Sequence, residues 1–136
     1  MLDQIAAPSC RVDVPSVMTL QVTATAEATV VTVRGEIDLP VLGRLRSRVG
    51  DEIDLAPRAL VLDLMEVAFC GAGGITELLV AASEAHVSGV PFAIATDRRA
   101  VLRPVRALRL EQALPIHSSV SAALDWLAVL PRLRRP

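Results

Sequence analysis

The chain has 136 residues, enough for one well-filled core but not for a second domain of any size. Hydrophobic residues make up 52% and charged residues 21%, a balance that excludes a disordered chain, while aromatics at 2% argue against a stacking platform for single-stranded nucleic acid. A formal net charge of −1 offers no overall field to a polyanion or an anionic membrane, so neither direct nucleic-acid nor membrane binding is expected.

Residues 1–17, with Pro8 and Pro15 and no hydrophobic period, read as a leader. Residues 18–128 read as the domain. Within it, MTLQVTATAE and TVVTVRGEI are β-branched runs separated by Glu27-Ala28, the pattern of a hairpin, with Gly35 breaking the second strand. From Pro40 the period changes to that of a helix: Val41, Leu42, Leu45, Val49 and Ile53 share one face and Arg44, Arg46 and Arg48 point outward. Asp38 is placed to cap this helix, and Pro40 suits its first turn. RALVLDLMEVAF is a strand apolar enough to be covered on both faces. After Cys70-Gly71-Ala72-Gly73-Gly74 a second helix carries Ile75, Leu78, Leu79 and Ala82 inward and ends near Ser88-Gly89. VPFAIAT is a short buried strand, Asp97 is placed to cap a third helix that must accommodate Pro104, and Leu114 to Ile116 can supply one more short strand. Ser118 or Ser119 opens a last helix through Trp126 and Leu127. Residues 129–136 form a tail in which Arg132, Arg134 and Arg135 are the local excess of charge, read as a solubilising terminus. Strands separated by helices give an α/β fold: a mixed four- or five-stranded sheet with helices packed against it.

The glycine run at the strand-to-helix turn is the first candidate site. A dinucleotide fingerprint begins there with Gly71 and Gly73, and Asp97 lies where a ribose-binding acid would sit, but Thr76 occupies the third glycine position. A Walker loop is excluded because no Lys-Ser/Thr pair follows. A tight turn that needs positive φ and close helix-to-strand packing remains open. So does capture of an anion or carboxylate by free backbone amides. Cys10 and Cys70 are too few for a secreted disulfide scaffold and lack metal-ligand spacing. With no signal-peptide pattern and no membrane-length apolar run, a cytoplasmic protein without cofactor or metal is expected. Cys70 is either a small buried residue or a redox switch paired with Cys10. Asp63, inside an apolar strand, is expected to accept backbone hydrogen bonds. His86 and His117 lie far apart, and no Ser, His and acid have the spacing of a hydrolytic triad. Ser118, Ser119 and Ser121 read as helix-cap residues.

VVTVRGEIDLP, then LVLDLMEVAFCGAGGITELL, then ALRLEQALPIHSSVSAALDWL resemble the successive blocks of a STAS domain, the fold of bacterial anti-sigma factor antagonists. The resemblance runs from Met18 to Leu127. It is carried by Gly35, Glu36 and Asp38, by the strand ending Asp63-Leu64, and by Val67 and Phe69 before the turn. It implies a non-enzymatic protein that captures an anti-sigma factor of the histidine-kinase-like ATPase type and so frees a sigma factor. The implied contact residues are Asp38, Gly71, Ala72, Gly73, Gly74 and Glu77. The family's turn carries a phosphorylated hydroxyl; Ala72 stands at that position and has no oxygen to accept phosphate. Arg109 stands where the family usually ends a helix with glycine. The alternatives are a non-catalytic STAS sensory module that binds a nucleotide or other anion, and a STAS adaptor subunit of a larger complex. Oligomeric state is left open.

Overall fold

A computed structural model describes residues 18–130, so the expected leader, including Cys10, and nearly all of the basic tail lie outside the described residues. The chain begins with β1 (Met18–Ala24) and β2 (Thr29–Ile37), paired antiparallel from Met18 opposite Gly35 to Ala24 opposite Thr29. The turn between them is closed by Thr25, whose hydroxyl accepts from the Glu27 and Ala28 amides and donates to the Ala28 carbonyl. The hairpin therefore turns at 25–28, and the first strand is shorter than the β-branched run suggested.

A 3-10 turn (Leu39–Val41) leads into α1 (Leu42–Asp54), followed by β3 (Leu60–Cys70), α2 (Ala72–Val87), β4 (Phe92–Ala95), α3 (Arg99–Ala107), β5 (Ile116–His117) and α4 (Val120–Val129). The five-stranded sheet runs in the order β1-β2-β3-β4-β5, parallel from β2 onward. Crossovers of one hand between neighbouring parallel strands put α1, α2 and α3 on one face. There Leu45, Val49, Ile53, Ile75, Leu78 and Val101 close the larger core against Val31, Val33, Leu62 and Leu64. The other face is covered by α4, whose Ala123 and Leu127 pack on Val61, Ala93 and Ala95. α4 also runs through Val129, one residue into the expected tail.

Several local expectations change. Gly35 does not end its strand: at φ 98 it sits at a register shift and lets β2 continue to Ile37. β3 is covered on both faces only over its first half. β4 pairs with it from Leu60 to Asp63, and beyond that two register shifts against β2 leave Glu66, Ala68 and Phe69 exposed while returning Cys70 to the core. Asp38 flanks the 3-10 turn but makes no side-chain cap. Pro40 has no N–H to offer, and the Val41 amide is already bonded to the Asp38 backbone carbonyl at 3.0 Å. Asp97 is not a cap either. The N-cap of α3 is Arg98, and the Thr96 hydroxyl holds the turn by accepting from the Arg98 amide at 3.0 Å. α3 is continuous through Pro104. Ser119 is the cap of α4, accepting from the Ala122 amide at 3.0 Å. His117 lies on β5, its ring 4.7 Å from that of Trp126.

Candidate functional site

The parallel strands β2 and β3 end side by side, with Ile37 opposite Cys70 and the Gly71 amide bonded to the Ile37 carbonyl at 3.0 Å. Asp38 and the 3-10 turn therefore leave the sheet beside the start of α2. Gly71 is the N-cap of α2, and Ala72, Gly73 and Gly74 are already its first turn, so the glycine run is the head of a helix more than a loop. None of the three glycines has positive φ, which removes that explanation for them.

Close packing explains two of them. A Cβ on Gly74 would lie 2.7 Å from the Cys70 Sγ and 2.8 Å from the Ile37 Cγ2, and one on Gly73 would lie 2.7 Å from the Leu42 Cδ1. Glycine here lets α2 sit directly on the ends of β2 and β3. Gly71 is different, since a side chain there would meet the Phe69 ring at 3.5 Å and the Ile37 carbonyl oxygen at 3.9 Å, both ordinary contacts.

Ala72 is exposed, and the first ladder bond of α2 runs from the Ile75 amide to the Gly71 carbonyl at 3.2 Å. The amides of Ala72, Gly73 and Gly74 precede that ladder and have no side-chain cap, and no acid lies in the first turn. Around this helix head are two large apolar side chains: Leu39, 79% exposed, and Phe69, 49% exposed. Leu39 approaches Gly73 and Phe69 approaches Gly71, the two neighbours of Ala72 in the chain. Sequence periodicity missed both. Leu39 lies before the first periodic residue of α1, and Phe69 is turned outward by the second β3 register shift.

The remaining site candidates are placed as follows. Asp38 adjoins the helix head, with its Oδ1 buried and without a hydrogen-bond partner among the described residues. Glu77 is engaged inside the fold: both its oxygens accept from Arg46 of α1, at 2.9 and 2.8 Å, and its side chain is 11% exposed. That hydrogen-bonded pair, followed by the charge of the Glu77 carboxylate, holds the Arg46 guanidinium above its ordinary pKa. A shallow hollow lies between α1 and α2, lined by Leu45, Arg46, Val49, Glu77, Leu78 and Ala81 among others, away from the helix head. Cys70 is a free, buried thiol whose pKa burial pushes up to about 11, opposite to the activated thiolate a redox switch requires. Asp63 accepts from the Met65 amide at 3.0 Å and from the Thr32 hydroxyl at 3.3 Å, the structural role expected of it. His86 is exposed late in α2, far along the chain from His117. Among the described residues no group of three or more His, Cys, Asp or Glu could hold a metal ion, and no helix is long and apolar enough to cross a membrane.

The tail is not the sole basic excess. Arg98, Arg99, Arg103, Arg106 and Arg109 fall within and beside α3 against two acids, Asp97 before it and Glu111 after it, and all five arginines are exposed. The signal was legible as arginines spaced four and three apart.

Comparison with known proteins gives consistent results. Residues 20–117 match the family described as Mlab, STAS domain. The anti-sigma-F factor antagonist RsfB of Mycobacterium tuberculosis is 30% identical over 110 residues, covering 81% of this chain and 89% of that protein. The crystal structure of an anti-sigma factor antagonist from Mycobacterium paratuberculosis superposes with a TM-score of 0.78 at 27% identity, over 85% of this chain and 97% of that one. SpoIIAA of Bacillus in its unphosphorylated form shares the fold, with a TM-score of 0.66 at 15% identity over 85% of this chain and 100% of that one, and is also known in a phosphorylated form.

Proposed function

The chain belongs to the STAS domain family, and from that premise we propose that it is an anti-sigma factor antagonist, binding an anti-sigma factor of the histidine-kinase-like ATPase type and thereby releasing a sigma factor. The action is binding, not catalysis, and belongs in the cytoplasm where sigma factors work. The observation that carries the proposal is the head of α2: an exposed Ala72 at the end of the parallel strands, flanked by the exposed Leu39 and Phe69. Apolar side chains held on rigid strand and helix ends are the kind of anchor a protein partner buries. Behind them Ile37, Leu42 and Cys70 pack closely against Gly73 and Gly74 and hold the helix head in place.

Ala72 takes the place of the phosphoacceptor. A phosphoryl group there would add about −1.5 to −2 charges to the contact surface and expel the partner; Gly71, Ala72, Gly73 and Gly74 supply no hydroxyl to carry one. The antagonist is therefore constitutive, limited by its own concentration. Asp38 lies at the margin of the contact, and Glu77 contributes by fixing α1 against α2 rather than by touching the partner. Incubation with a purified kinase-like anti-sigma factor and ATP, followed by intact-mass measurement, should show the unmodified chain still bound. Stoichiometric phosphate on Thr76 or Ser83 would mean that the switch has moved along α2.

A further inference from the structure

α3 carries a second surface that the helix head does not account for. Arg99, Arg103 and Arg106 are spaced four and three apart, which puts them on one face, opposite the buried Val101 and Val105. Arg98 and Arg109 extend the row at its two ends, so the stripe continues past about 10 Å of helix. Among the described residues none of the five takes part in an ion pair. Arg98 is tethered, its Nε donating to the Val67 carbonyl at 3.3 Å, two residues before Phe69. β4 ends opposite Asp63, seven residues before β3 ends at Cys70, so α3 starts further back along the sheet than α2, and the Arg98 side chain at the Val67 carbonyl is what links the row to the surface at Phe69.

Resting on the function proposed above, we infer that this row is the electrostatic half of the same docking surface, and that the anti-sigma factor presents an acidic patch beside the groove that receives Leu39 and Phe69. The rest of the chain has an excess of acids, since the whole carries −1 despite these five arginines. An extended polyanion or an anionic bilayer would meet that repulsion, whereas a protein docked on one edge meets the stripe alone. The apolar side of α3 is consumed in the core through Val101 and Val105, and the one exposed leucine, Leu108 at its C-cap, falls short of the apolar face that an interfacial helix inserts into lipid. Charges of this kind act mainly on the rate of encounter, and salt screens them.

The test measures association and dissociation rates with each purified kinase-like anti-sigma factor of the host, from about 50 to about 500 mM salt. Wild type should associate about tenfold more slowly at the high-salt end. The R99E/R103E/R106E variant should associate about tenfold or more slowly than wild type at low salt, with the salt dependence flattened and the dissociation rate changed by less than about threefold. R99Q/R103Q/R106Q should fall between them and guards against misfolding of the reversed variant. Ala72→Asp is run alongside. If Ala72→Asp loses binding while both arginine variants keep wild-type rates and salt dependence, this inference fails and the proposed function stands. If wild type binds none of these proteins, both fail. Short duplex DNA and phosphatidylglycerol vesicles are added as separate probes. Binding of either by wild type at physiological salt, lost in the arginine variants, would overturn a protein partner for the stripe.

Discussion

At the scale of single residues, the first turn of α2 separates packing from contact. Gly74 is set by packing: a methyl group would press on the Cys70 Sγ and the Ile37 Cγ2, neither able to retreat from the buried ends of two paired strands. Gly74→Ala should cost about 1–3 kcal/mol in chemical denaturation. Gly73→Ala should cost less, because its collision is with the flexible end of Leu42, and equal losses would show that the helix head is not seated as described. Cys70 gives a pH signature. Its thiol is raised to about 11 from an ordinary 9.0, so the unfolded chain releases this proton first as pH rises. The stabilising contribution is fully present below about 9 and is lost on rising through about 11. Cys70→Ala should remove that part of the alkaline decline, and a disulfide-forming thiol probe should label the native wild-type thiol at position 70 slowly at neutral pH. The sequence showed small residues here but not their reason, since φ and a 2.7 Å approach depend on how β2 and β3 end together.

At the scale of elements, apolar pattern and cap signals located the α-helices and the first four strands, the last strand falls at Ile116–His117 where one over Leu114 to Ile116 was expected, and Ser88-Gly89 ended α2 as expected. There Gly89 has φ 73 and the Val90 amide bonds to the Ala85 carbonyl at 2.8 Å. What periodicity could not show was competition for hydrogen bonds and register. Asp38 is well placed in sequence but has no donor to cap, Thr96 acts where Asp97 was expected, and the β3 register shifts that expose Phe69 have no local signature. Two helix ends are less than optimal. Ala56 after α1 and Arg109 after α3 hold φ 52 and 57, the region glycine tolerates best, and the Leu110 amide still closes onto the Val105 carbonyl at 2.9 Å. Ala56→Gly and Arg109→Gly should each stabilise the fold by about 0.5–1 kcal/mol, after the larger entropy of unfolded glycine is set against the relief. A lower urea midpoint for either variant would contradict this account of the helix ends.

At the scale of the whole molecule, a sheet in sequential order gathers the ends of β2 and β3 and the starts of α1 and α2 at one edge, and the proposed contact surface lies there. The ordered blocks of sequence were enough to bring Asp38 and the glycine run together; Leu39 and Phe69 became part of that edge, and the α3 arginines were linked to it through Arg98, only in three dimensions. The proposed antagonist works because this edge is apolar at its centre and cannot be charged by phosphorylation at Ala72. Ala72→Asp isolates that claim, since the position is exposed and a carboxylate in the first turn of a helix is stabilising by about 0.3–1 kcal/mol. The most direct measurement is a calorimetric titration of wild type and Ala72→Asp into a purified kinase-like anti-sigma factor, with thermal stability recorded for both. Wild type should bind, and Ala72→Asp should bind about tenfold or more weakly, a loss of about 1.4 kcal/mol or more, while unfolding at the same temperature or higher. Equal affinity of the two folded proteins would contradict the account, because the head of α2 would then lie outside the contact.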